Sequence, residues 1–440
     1  MAPFNLETCA RSNILSLQPY RCARDDYKDN GTNILLDANE NAYGPGLALN
    51  KQGKMSDGAV NGSSQASKEL AVDLLGLNRY PDPHQGELKQ LFCNFRNTHH
   101  HTSKTLTPDN LFVGVGSDEV IDALMRCFCA PGREKILTCP PTYGMYAVSA
   151  VVNDVAIVPV PLDTSQPNFP IRPSAINAAL TEDPSIKLVY ICSPGNPTSS
   201  LISKADIQQI LEHPTWNGIV VVDEAYIDFA PPGSSLAEWV TEWPNLVVMQ
   251  TLSKAFGLAG IRLGAAFASP PVARLLNNLK APYNISSPTS ALATAALSPN
   301  SLEVMRSNLE LIVTQRERLV RELPKVPGVG RIRGGAAANF LLVEIFDSPN
   351  DTGGPSNETA LAVYEGLAET KGVVVRFRGK EIGCLGCLRI TVGTESEVDR
   401  FLQELQEVLG GLYWEKRAKI SAKTQKLEEV SEKRANDVIA

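Results

Sequence analysis

Apolar positions fall into two patterns along this chain. Between residues 111 and 268, short and almost continuous apolar runs recur at 111–116, 135–139, 155–159, 187–192, 219–223, 246–251 and 264–268. Runs that are apolar at every position suit strands covered on both faces, since a half-exposed strand would alternate. Stretches with helical spacing, such as 118–128 and 205–212, separate them. This alternation predicts a mostly parallel, seven-stranded α/β sheet. After residue 298 the texture changes. A long helical pattern at 301–323 leads to strand patterns at 339–346, 373–377 and 388–392, and a helical pattern at 395–409 closes the region.

The expected organisation is a large domain over 68–298 and a smaller C-terminal α+β domain over 299–413, preceded by an N-terminal arm, 1–50. Two Gly/Ser/Asn-rich stretches, 51–67 and 347–358, read as polar insertions at the surface. A charged tail, 414–440, follows; 12 of its last 26 residues carry charge, which predicts a solvated helix or a frayed end.

Composition narrows the function classes. With 43% hydrophobic and 20% charged residues the balance is that of an ordinary globular protein with a large core. A formal net charge of −7 argues against nucleic acid as the main partner. No uninterrupted apolar run approaches the ~18 residues of a membrane span, so no membrane partner is expected. The first 20 residues lack a basic segment, an apolar block and a small-residue cleavage site, and the expected location is the cytoplasm. Nine cysteines at no regular spacing suggest buried thiols rather than a disulfide framework or a metal site, a lone Cys384-Leu385-Gly386-Cys387 included. His99-His100-His101 reads as a solvated loop.

Chemistry gathers at the strand ends. Ser193-Pro194-Gly195-Asn196-Pro197-Thr198, Asp223-Glu224-Ala225-Tyr226 and Thr251-Leu252-Ser253-Lys254-Ala255-Phe256 each follow an apolar run. Ligands of open parallel sheets sit beyond the carboxyl ends of the strands, so an amide, a carboxylate with a phenol, and an amine converge on one crevice. Apolar crowding and Arg262, eight residues after Lys254, are expected to lower the lysine pKa and free the amine as a nucleophile. Upstream, Gly114-Val115-Gly116-Ser117-Asp118 joins a strand to a helix, with Ser117 as the expected N-cap and the free amides as a phosphate cradle. Glu119 stands where a dinucleotide fingerprint needs its third glycine, so one phosphate is the better fit. Tyr143, in Pro140-Pro141-Thr142-Tyr143, brings a flat aromatic to the same crevice. Together these groups describe a pocket for pyridoxal 5′-phosphate.

These segments, with Leu36-Asp37-Ala38-Asn39-Glu40-Asn41, Asn78-Arg79-Tyr80-Pro81 and Cys387-Leu388-Arg389-Ile390-Thr391-Val392-Gly393, resemble the fold-type I, pyridoxal-phosphate-dependent aminotransferases. Among them the chain is most similar to the histidinol-phosphate aminotransferase family, over roughly residues 11–409. The resemblance implies that Lys254 holds the cofactor covalently and Asp223 pairs with its ring nitrogen. Asn196 and Tyr226 would bind the ring's 3-oxygen, and Tyr143 would stack on its face. The phosphate would lie among Ser117, Asp118, Ser253 and Arg262. Tyr80 would reach that phosphate from a neighbouring subunit, which implies a homodimer. Tyr20, Arg376 and Arg389 would hold the anionic end of the substrate. The implied reaction is transamination between L-histidinol phosphate and 2-oxoglutarate, giving imidazole acetol phosphate and glutamate. Gly195 departs from the family's usual asparagine and Ser199 from its frequent glycine, which leaves the shape of that loop open.

Two rival readings stand beside this one. An aromatic aminotransferase or a phosphothreonine decarboxylase of the same fold would share the cofactor residues. A catalytically silent regulatory protein would need a lost lysine or a DNA-binding module, and Lys254 is present with no helix-turn-helix pattern elsewhere.

Overall fold

A computed structural model describes residues 11–18, 23–27, 31–49, 76–349 and 353–439. The 51–67 insertion and Tyr20 lie outside the described residues. Thirteen strands are described: β1 (Ile34–Leu35), β2 (Leu111–Val115), β3 (Lys135–Thr138), β4 (Ala156–Pro159), β5 (Ile186–Cys192), β6 (Ile219–Asp223), β7 (Leu246–Thr251), β8 (Leu263–Ala268), β9 (Val329–Arg333), β10 (Phe340–Ile345), β11 (Val373–Val374), β12 (Arg376–Phe377) and β13 (Cys387–Thr391).

The seven apolar runs form one sheet in the order β2-β8-β7-β6-β5-β3-β4. Strands β4, β3, β5, β6 and β7 are mutually parallel, while β8 runs antiparallel to both of its neighbours. Every residue of β6, β7 and β8 is buried, as their unbroken apolar character requires. Because β8 alone is reversed, its start and the carboxyl ends of the other strands share one sheet edge. That edge is where the predicted chemistry collects.

A second sheet, β12-β13-β10-β9, is antiparallel, and β1 pairs in parallel with β11. The single strand expected over 373–377 is two short strands in different sheets. The N-terminal β1 is bound to the second region: Thr391 N donates to Leu36 O at 3.0 Å and Leu36 N to Val374 O at 2.7 Å. The terminal helix runs unbroken from Glu395 to Ile439, beyond the 395–409 pattern. Tyr413 on it is buried and donates to Phe346 O at 2.8 Å.

Among the described residues the cysteines are free thiols, six of the seven buried, and no cluster of metal-binding side chains occurs. The histidine run is a loop with His99 and His100 exposed, as expected, but its backbone is anchored. The amides of Thr98, His99 and His101 all donate to the buried carboxylate of Glu238, and His101 bonds Gly233 O at 2.8 Å. Wrapping a buried carboxylate in backbone amides offsets its desolvation and pins the loop.

Candidate active site

Two adjoining cavities open at the sheet edge, one of about 850 Å³ and one of about 170 Å³, and Tyr143, Asn196, Tyr226 and Lys254 line both. The smaller also takes Ser117, Asp118, Asp223, Ser253 and Arg262; the larger takes Arg376 and Arg389. Residues spread over 273 positions of sequence therefore meet in one cleft.

Asp223 ends β6 and is only 3% exposed. Tyr146 OH donates to its Oδ2 at 2.6 Å and Ala225 N to its Oδ1 at 3.1 Å. Burial nevertheless pushes the carboxyl up to about 6, because those two donors only partly replace water. Tyr146, on the helix Met145–Asn153 and completely buried, had no role assigned from sequence. In a motif it looks like one more core aromatic. Only the fold brings its hydroxyl to a carboxylate 77 residues away.

The Lys254 amine donates to Ala38 O at 3.1 Å and lies 5.8 Å from the centre of the Tyr226 ring. It is pushed down to about 8, first by burial and next by the positive charge of Arg389; Arg262 contributes less. The lowered pKa matches the expectation, but the guanidinium chiefly responsible does not. Arg389, buried on β13, donates Nη1 to Asn196 Oδ1 at 2.8 Å and Nη2 to Asp37 O. The second region thus reaches directly into the cleft of the first.

Arg376 is paired with Asp26, which belongs to the short helix Ala23–Asp26. A third guanidinium on the cleft wall, Arg378, lies 2.7 Å from Glu381. None of Asp26, Arg378 and Glu381 was singled out from sequence, since single charges carry no pattern there.

The phosphate-like end differs. The helix Gly116–Phe128 begins one residue before Ser117, so Ser117 sits in the first turn and does not cap it; the N-cap is Val115, whose amide donates to the Glu119 carboxylate. The Gly116 amide donates to Arg262 O at 3.0 Å, and the Ser117 and Asp118 amides belong to the first helical turn, which attracts anions. Gly116 has φ +73°, and a Cβ there would lie 2.7 Å from Arg262 Nη2. A Cβ on Gly264 would lie 2.5 Å from Ser117 N. Arg262 Nη2 is 3.3 Å from Asp118 Oδ2, Tyr143 OH donates to Asp118 Oδ1 at 3.3 Å, and Thr251 Oγ1 donates to Ser253 Oγ at 2.9 Å. Tyr80 lines neither cavity; it is 81% exposed and stacks on Tyr283 with ring centres 4.5 Å apart.

The loop after β5 absorbs both departures noted in the sequence. A side chain at Gly195 would bring its Cβ within 2.3 Å of Thr198 Oγ1. Ser199 takes a left-handed φ of +54°, where glycine is at ease, and its Oγ accepts from Ala338 N at 2.9 Å.

The sequence profile described as aminotransferase class I and II matches residues 34–405. The chain belongs to that family. It is 51% identical to the histidinol-phosphate aminotransferase of Schizosaccharomyces pombe, over 94% of this chain and all of that one. With the enzyme of the same name from Saccharomyces cerevisiae it shares 45% identity, covering 92% and 98% of the two chains. Its fold is the fold-type I aminotransferase fold: the histidinol-phosphate aminotransferase of Sinorhizobium meliloti, solved with pyridoxal 5′-phosphate, superposes with a TM-score of 0.72 at 24% identity, covering 92% of this chain and all of that one.

The donor set suits pyridoxal 5′-phosphate. First-turn amides, the Ser253 hydroxyl and Arg262 form an oxyanion cradle kept open by two glycines. A buried carboxylate and a partly buried amine close the same cavity.

Proposed function

We propose that this chain is a pyridoxal-phosphate-dependent transaminase that moves the amino group of L-histidinol phosphate to 2-oxoglutarate, giving imidazole acetol phosphate and glutamate in histidine biosynthesis. One observation carries the reading: a cleft that holds a partly buried amine of lowered pKa, a buried carboxylate and the guanidiniums of Arg262, Arg376 and Arg389 together.

Bound pyridoxal 5′-phosphate supplies an electron sink for the pair of electrons left when the substrate loses its α-proton. Lys254 anchors the group and, released from it, takes that proton on Nζ and delivers it again. At pH 7–8 an amine near pKa 8 exists in both protonation states, so it can do either. Asp223, ionised above about pH 6, holds a proton on the ring nitrogen. Asn196 and Tyr226 hold the ring's 3-oxygen, and Tyr143 covers its face. Ser117, Asp118, Ser253 and Arg262 hold the phosphate end. Arg389 and Arg376 bind the substrate anion, with Tyr20 as a further contact from the arm. A guanidinium fork suits a phosphate in one half-reaction and a carboxylate in the other.

We read residues 68–298 and 299–413 as the large and small domains, between the arm, 1–50, and the tail, 414–440, with 51–67 as an insertion. The enzyme is proposed to be a cytoplasmic homodimer. Among the described residues no helix is long and apolar enough to cross a membrane. Exposed Tyr80, Tyr283 and Val115 support burial against a second copy, whose Tyr80 would complete the phosphate end.

Assay of the purified protein with histidinol phosphate, histidine, tyrosine and phosphothreonine tests the substrate. Preference for tyrosine or histidine would move it to an aromatic aminotransferase. Borohydride reduction and peptide mapping should place the pyridoxyl label on Lys254; a label on another lysine overturns the assignment.

A further inference from the structure

Three consecutive residues, 37–39, each meet a different side chain of the site. Asp37 O accepts from Arg389, Ala38 O accepts from Lys254 Nζ, and Asn39 Nδ2 donates to Tyr226 OH at 3.0 Å. The segment follows β1 and is held by the second region. Asn39 is 1% exposed and has a left-handed φ of +55°. Its own orientation is fixed from two sides. Thr391 Oγ1 donates to Asn39 Oδ1 at 3.1 Å and accepts from Asn39 N at 3.1 Å, and Asn339 Nδ2 donates to Asn39 O at 3.1 Å.

An amide nitrogen can only donate. With Asn39 Nδ2 on the phenol oxygen, that oxygen accepts, and the Tyr226 proton must point elsewhere. Tyr226 is otherwise packed edge-on against Phe340, with ring centres 5.0 Å apart, and lines both cavities. The free direction for its proton is the cleft.

We propose that Asn39 is a positioning residue that turns the Tyr226 proton toward the cofactor's 3-oxygen. The inference rests on the functional reading above and adds a residue 187 positions from Tyr226 to it. The charged and titratable groups facing Tyr226 are Lys254 from the loop after β7, Arg389 from β13, Asp223 from β6 and Cys192 from β5. A proton donated to the 3-oxygen stabilises the form of the bound cofactor in which that oxygen is most negative. The pH at which the bound cofactor changes colour should therefore depend on residue 39.

The test is a visible-absorbance titration of the cofactor-loaded protein, which needs no turnover. Asn39→Asp is nearly isosteric and aspartate tolerates a left-handed φ, but a carboxylate accepts and draws the Tyr226 proton to itself. The midpoint should rise by about one pH unit, the equivalent of one charge-assisted hydrogen bond. In a Tyr226→Phe background the same substitution should leave the midpoint where Tyr226→Phe alone puts it. Thr391→Val, which removes the hydroxyl holding Asn39 Oδ1, should shift the midpoint in the same direction by less, and it decides the matter if Asn39→Asp does not fold. An equal shift with and without the Tyr226 hydroxyl would mean that the added charge acts through space, and would overturn the role. So would unchanged midpoints in both single variants. A wild-type protein that gains no visible band when mixed with pyridoxal 5′-phosphate would sink the functional reading itself, and this inference with it.

Discussion

The two ends of the smaller cavity are built on opposite principles. At the ring end, Asp223, Asn196 and Tyr226 are each at most 5% exposed, and their polar atoms are met by Tyr146, Ala225, Arg389 and Asn39. At the phosphate end the side chains of Arg262 and Asp118 are 48% and 38% exposed, and Val115, next to the helix start, is open as well. Charges in the first environment are poorly screened, so each is strong and costly. Those in the second are weakened by water and salt until something covers them. On the proposed reading, the ring is tuned by buried contacts within the chain, whereas the phosphate end rests on first-turn amides and a half-exposed arginine.

The largest contrast should come from the buried carboxylate. Asp223→Asn is expected to lower turnover at least about a hundredfold, since a neutral amide cannot keep the ring nitrogen protonated. Stability of the cofactor-free protein should move the other way. The folded pKa of Asp223 is raised from 3.8 to about 6, so the folded state binds more protons between those values. Its contribution is fully present below pH 3.8 and is lost as pH rises through about 6. An amide escapes that loss, and the variant should melt at or above the wild-type temperature at pH 8, by up to about 3 kcal/mol in stability. Thermal melts at pH 4 and pH 8 check the sign. Near-normal turnover would reduce Asp223 to a strand-end support.

The guanidiniums come next. Arg389→Ala should slow both half-reactions about ten- to hundredfold, because it removes the anion fork and leaves Asn196 Oδ1 without its donor. Arg376→Ala should act less, and mainly on the phosphate substrate, since Arg376 is shared with Asp26. Single-turnover colour changes with glutamate and with histidinol phosphate separate the two. Equal damage to both by Arg376→Ala would remove its phosphate-specific role.

At the exposed end, Arg262→Ala should weaken cofactor binding about three- to tenfold, with much of the loss masked by salt. Cofactor titrations at low and high ionic strength measure this. A salt-independent loss would show that the assembled enzyme buries this end as deeply as the other. The smallest effect expected is from Asp26→Asn, which releases Arg376 and should tighten histidinol phosphate binding about two- to fivefold. A weaker affinity would show that Asp26 orients Arg376 rather than competing for it.

Much of the site could be read from local pattern. Lys254, Asp223 and Asn196 each follow an apolar strand, and a parallel sheet delivers such positions to one edge whatever else the chain does. Tyr146 could not be read, because a buried aromatic on a helix looks the same whether or not its hydroxyl has a task. Ser117 lies inside the first turn and not at the cap, because the helix starts at Gly116, two residues before the 118–128 pattern. The strand expected over 373–377 divides in two because Val373 pairs with Ile34 while Arg376 pairs with Arg389.

The strand runs, their order of apolar and polar positions and the reactive residues at their ends were determined by the sequence alone, since each depends on neighbours within a few residues. Which guanidinium lowers the lysine, which phenol serves the aspartate, and which amide meets Tyr226 were decided by tertiary structure. Those pairs join residues 77 to 187 positions apart. Electrostatic and hydrogen-bond energies depend on separation in space and on burial, and neither quantity exists until the two sheets have packed.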